Sequence, residues 1–147
     1  MRVGVIPFVL GLLSVVTVTV TVTAAAAQPA PSAVSAWIAA PAAGATGASV
    51  YVELNNPTMY DVYVVSATAE GVAAAVELRA GLAPGGSPAP VPEFAIPAYG
   101  FVAAAASSPH LRLVGLTKPL AVGDTVALVL MTDGGATLRV SASVRTP

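Results

Sequence analysis

A chain of 147 residues with six Lys or Arg against seven Asp or Glu, one histidine and no cysteine can bury one core but carries little charge. The near-balance of signs excludes the clustered basic surface that nucleic-acid binding requires. The missing cysteine removes disulfides, thiolate metal sites, thiol nucleophiles and a cysteine-borne lipid together.

Arg2 supplies a positive start, and residues 3–22 follow without a charge. Ala24, Ala25, Ala26 and Ala27 come next, which predicts a signal peptide over 1–27 with cleavage after Ala27. Read otherwise, the stretch is an uncleaved anchor, since about 20 apolar residues span a bilayer. Against a helix stand Gly4, Pro7, Gly11 and the closing Val-Thr alternation. Either way the domain is expected outside the cytoplasm: extracytoplasmic, periplasmic, secreted or attached to the cell surface. Residues 28–33, mostly Ala, Pro and Ser, read as a flexible leader, and 34–147 as a single domain. No second apolar span follows Gln28, so no membrane contact is expected once the signal is cleaved.

Within the domain the period is two. Segment 49–54 alternates, with Val50, Val52 and Leu54 on one face and Tyr51 and Glu53 on the other, until Asn55-Asn56-Pro57 breaks it. Segments 61–67 and 72–79 are strand-like, the latter setting Val76 and Leu78 against Glu77 and Arg79. Residues 81–92, rich in Gly, Pro, Ala and Ser, predict a long surface loop or an ordered crossover, and order resumes near Glu93. A weak strand is expected over 101–105. In 110–114, Leu111 and Leu113 oppose His110 and Arg112. A turn with Gly115, Lys118, Pro119 and Gly123 leads to 125–131, then to Asp133-Gly134-Gly135 as a hairpin turn, then to the closing strand 137–144. About seven or eight short strands without a helical period predict an all-β Greek-key sandwich or barrel. Trp37 is expected to pack across it.

Catalytic machinery is not expected. A Ser-His-Asp arrangement needs a base beside its nucleophile, and the one histidine, His110, follows Ser107 and Ser108 in what reads as an ordinary turn. Glu53, Glu70, Glu77 and Glu93 lie on separate elements. Gly85-Gly86 lacks the strand, helix and lysine of a phosphate loop, and Asp124 and Asp133 lack EF-hand spacing. Tyr51, Tyr60, Tyr63 and Tyr99 could offer an aromatic binding face but read first as the tyrosines common in strands, and Met59 and Met131 read as loop or core packing.

Several segments, in order, resemble the periplasmic copper chaperone family PCu(A)C. They are Ser35-Ala36-Trp37, Gly47-Ala48-Ser49-Val50-Tyr51 running into Asn55-Asn56, Val76-Glu77-Leu78, Gly115-Leu116-Thr117-Lys118-Pro119-Leu120 and Gly123-Asp124-Thr125-Val126. The likeness covers about 34–144 and implies a cupredoxin-like β-barrel. It also implies a copper site: a histidine after Val-Glu-Leu, a methionine beyond it, and a His-x-Met pair before the Gly-Leu turn, soft donors that suit Cu(I). Here those positions read Arg79, no methionine from 80 to 109, and His110-Leu111-Arg112.

The leading expectation is therefore an exported, non-enzymatic module of copper-chaperone type with a degenerate metal site, in which only His110 survives and copper is doubtful. One alternative keeps copper binding and delivery at His110 with unconventional ligands such as Met59 or the N-terminal leader. Another makes Arg79, His110 and Arg112 an outward patch for anions or a protein, with Glu77 as the neighbour that could neutralise it. A protein partner, reached through an edge strand or otherwise, fits each of these.

Overall fold

The computed structural model describes residues 2–5, 7, 11, 14–22, 29–81 and 89–147. The expected alanine cluster at the cleavage point and most of the predicted 81–92 loop lie outside the described residues.

Nine strands and no helix make up the described chain: β1 (Ser32–Ala39), β2 (Gly47–Asn56), β3 (Val62–Thr68), β4 (Ala73–Arg79), β5 (Phe94–Ile96), β6 (Gly100–Val102), β7 (His110–Leu116), β8 (Thr125–Thr132) and β9 (Thr137–Arg145). They form one curled sheet in the order β4-β7-β2-β1-β9-β8-β3-β5, with β6 paired to β2 ahead of β7. β3 packs against β4 where the ends of the sheet meet, so the sheet is a nearly closed barrel. All pairings are antiparallel except β1 with β9. The all-β barrel anticipated from the alternation is what forms.

Register explains the core. Leu78, Leu111, Val50, Ile38 and Val144 are cross-strand partners in one row over five strands, and all are buried. A pleated strand turns successive side chains to opposite faces, so the next row along must face outward.

Four details differ from expectation. β1 begins at Ser32, where Ser32 pairs with Asn55, so ordered chain starts before Val34. Backbone pairing, not apolar burial, holds that stretch, which is why composition misplaces it. Trp37 does not cross the barrel: Ala36 and Ile38 take the inward positions of β1, leaving Trp37 on the outer face. The predicted weak strand shortens to β6, and β5 forms where only a return of order was expected.

Candidate functional site

The row beside the core row carries the chemistry. Arg79 is the cross-strand partner of His110. Continuing the β2–β7 register by one step places Tyr51 opposite His110, and Tyr51 is the partner of Trp37. The rings confirm this row: Trp37 and Tyr51 lie 4.7 Å apart between centroids, Tyr51 and His110 5.3 Å, both pairs tilted. Such offset contacts are favourable beyond the area they bury.

Although it faces outward, His110 is only 3% exposed. The connection 103–109 between β6 and β7 folds over the row. The Trp37 indole Nε1 donates to the Ala104 carbonyl at 3.4 Å, and His110 Nδ1 lies 3.0 Å from the Ser108 carbonyl. A carbonyl only accepts, so this contact places the proton of a neutral ring on Nδ1 and leaves Nε2 as the acceptor. The chain leaving β4 presses on the same cover, for a methyl group on Gly81 would stand 2.1 Å from the Ser107 carbonyl oxygen. Gly81→Ala is thus expected to lift the cover and cost about 1–3 kcal/mol, as overpacking does. Red-shifted emission from the sole tryptophan, Trp37, together with a lower unfolding midpoint would show it.

The three residues expected to form a basic patch share a face but do not converge. Arg79 forms an ion pair with Glu77 on its own strand. Arg112, in register with Glu77, instead lays its guanidinium over Gly47, where an added methyl would come within 3.1 Å of Nη2. Gly47 is opposite Val114, so Arg112 leans away from His110. The expected neutralisation by Glu77 therefore acts on Arg79. An open cationic surface centred on His110 does not form.

In the row Arg79, His110, Tyr51 and Trp37, the imidazole is the one side chain that offers a soft donor. Guanidinium has no lone pair to offer and keeps its charge, and Arg79 stands directly across from the one imidazole. Among the described residues no three His, Cys, Asp or Glu side chains gather as metal ligands. The methionines correct another expectation: Met59 and Met131 are both exposed rather than packed. Neither belongs to the row, since Met59 follows β2 in a turn and β8 is separated from β7 by β9, β1 and β2. An open cleft of about 310 Å³ between 41–45 and 116–120 lies elsewhere and offers Lys118 as its one charged side chain.

Sequence reading did not find a second cluster. Asn56 is fully buried, and its amide donates to the carbonyls of Tyr60 at 2.8 Å and Ile96 at 3.0 Å, while its Oδ1 accepts from the Thr58 amide and hydroxyl. It ties the turn after β2 to the turn between β5 and β6, and so brings Met59, Tyr60, Tyr99 and Phe101 to one end of the barrel. Asn55-Asn56-Pro57 was the only sequence signal, and it announced a turn without its partner.

The profile of the LpqE-like family, named for a lipoprotein, matches residues 31–144. The chain belongs to the LpqE-like family. Among solved structures, this LpqE-like domain is similar to Cu(I)-DR1885 from Deinococcus radiodurans, at 30% identity over 76% of each chain with a TM-score of 0.63. It is also similar to apo-DR1885 from that organism, at 28% identity over 100% of this chain and 95% of the other, TM-score 0.59. The copper-bound PCuAC domain from PmoF2 shares the fold at 20% identity, covering 76% of this chain and 89% of that one, TM-score 0.65. No curated protein matches. The LpqE-like domain thus has the PCuAC fold, and structures of that fold hold copper.

Proposed function

We propose that this domain is an exported, non-enzymatic module of copper-chaperone type whose inherited copper position has been converted into a structural one, and which acts through a protein partner. One observation carries the reading: the Arg79 guanidinium, paired to Glu77, stands across from a covered His110 where Cu(I) would need donors. A cation entering this row would meet the Arg79 guanidinium on one side and, on the other, a single donor, Nε2 of a His110 that the 103–109 connection covers. Membership of the LpqE-like family and the shared PCuAC fold support the chaperone-type scaffold. The apolar, uncharged run of 3–22 supports export.

The test is a competition titration of Cu(I) and Cu(II) against a calibrated chelator, with the native chain and His110→Ala in parallel. Neither protein is expected to withdraw copper from the chelator. Tight, stoichiometric Cu(I) uptake by the native chain that disappears in His110→Ala would overturn the reading and establish copper delivery through His110 with unconventional ligands.

A further inference from the structure

At the end of the barrel held by Asn56, Tyr60 and Tyr99 are each 73% exposed, Phe101 67% and Met59 62%. No other described turn presents more than one large exposed apolar side chain. The cluster is built rigidly. The Tyr99 amide donates to the Thr58 carbonyl at 2.9 Å, the Asp61 carboxylate accepts from the Ala98 amide at 2.9 Å, and Phe101 pairs with Asn55. Tyr99 has φ of 51°, the one non-glycine residue with positive φ among the described residues. A tyrosine in that region is strained, and observed strain in a well-tied turn points to a use for the side chain it projects.

The N-terminal segment leaves the barrel at this same end. Ser32, Asn55 and Phe101 form one row, so Ser32 lies two strand spacings, about 10 Å, from Phe101. The uncharged run 3–22 ends ten residues before Ser32, a reach of at most about 36 Å. Val3, Val5, Val15, Val16, Val18, Val20 and Val22 are exposed, so the barrel does not cover them. No helix among the described residues is long and apolar enough to cross a membrane.

From the shared exit of an apolar segment and an aromatic tip, we infer that in the form retaining residues 1–27 the tip formed by Met59, Tyr60, Tyr99 and Phe101 is a lipid-contact surface. The N-terminal segment partitions into the bilayer and holds the tip against it. Tyrosine suits this place because its ring enters the interfacial region while its hydroxyl stays wet, and phenylalanine and methionine add apolar area. Asp61 and Asp133 border the tip, Asp133 accepting from the Tyr63 amide. Their charge favours a zwitterionic surface over a strongly anionic one. Removal of the segment frees the tip.

Because the chain contains no cysteine, Met59→Cys introduces a unique thiol for a polarity-sensitive fluorophore. Val122→Cys, exposed in the turn before β8 at the opposite end, is its control. Each labelled full-length chain is incorporated into phosphatidylcholine vesicles with and without spin-labelled lipid. The Met59 probe is expected to shift to the blue and lose most of its emission to the spin label, while the Val122 probe does neither. Adding Tyr99→Gly and Phe101→Ser to the Met59→Cys chain is expected to abolish the response with the chain still bound. Glycine is at ease at that φ, so the turn survives. A water-like Met59 probe on bound chain would overturn the inference. So would a blue shift without vesicles that grows with protein concentration, which would assign the tip to a second copy.

Discussion

Asn56→Ala is expected to lower the unfolding midpoint by roughly 10 °C, corresponding to a loss of about 3 kcal/mol in a domain of this size. The side chain is wholly buried and makes four hydrogen bonds, two given and two received. Alanine removes all four and leaves the Ile96 carbonyl without that partner in the interior, where a stranded polar group costs more than a bond is worth. Asn56→Asp separates the hydrogen-bonding from the packing contribution. It has nearly the same shape, but turns a donor into a carboxylate facing two carbonyls. Burial and those carbonyls raise the folded pKa of such a carboxyl above its unfolded value of about 3.9. Its penalty relative to asparagine is therefore smallest below the unfolded pKa, grows as pH rises through the interval up to the folded pKa, and is largest above it. Denaturant midpoints of both variants across acid to neutral pH check this. A flat profile for Asn56→Asp would mean that Asn56 acts by shape alone.

The second large effect is a gain. The double variant Arg79→His with Arg112→Met is expected to take up Cu(I) at least about a thousandfold more tightly than the native chain. Arg79 and His110 are direct cross-strand partners, so their Cβ atoms are about 5 Å apart, within reach of two imidazoles sharing one ion. Positions 110 and 112 share the outer face about 6.6 Å apart along β7. Removing the Arg79 guanidinium across from His110 relieves roughly 2 kcal/mol at about 7 Å and an intermediate dielectric, Arg112→Met exchanges a cation for a thioether donor, and each 1.4 kcal/mol is tenfold in affinity. Glu77, released from Arg79, adds a favourable charge nearby. The chelator competition described above reads the affinity, with Arg79→His alone as the intermediate. No gain in the double variant would show that the cover over His110, rather than the arginines, keeps copper out.

Alternation made the strand faces legible: Val50, Val52 and Leu54 inward on β2, Leu111 and Leu113 on β7, Val126, Leu128 and Leu130 on β8. The cross-strand meeting of Arg79 with His110 was also within reach, because two residues given inherited neighbouring positions fell in register. Burial of His110 was not. Its cover is a non-periodic stretch of Ala, Ser and Pro pinned by Gly81 and by backbone carbonyls, and such contacts leave no pattern in side-chain type. Trp37 was misplaced because its size was weighed above its parity with Ala36 and Ile38. Tyr60 and Tyr99 were legible only as members of a possible tyrosine face, because the tip's residues sit in two turns and in β6, distant along the chain and joined by a buried amide that reads in sequence only as a turn former.

The first and last strands of this barrel lie side by side. β1 is held on one edge by β2 and on the other, in parallel, by β9, with Ala39 matched to Arg145. A chain that emerges amino end first, as from a ribosome, therefore cannot close its barrel until β9 is free. Contacts so remote in sequence also slow closure once it becomes possible. The topology itself acts as a timer, keeping the barrel open and the polypeptide threadable until β9 arrives.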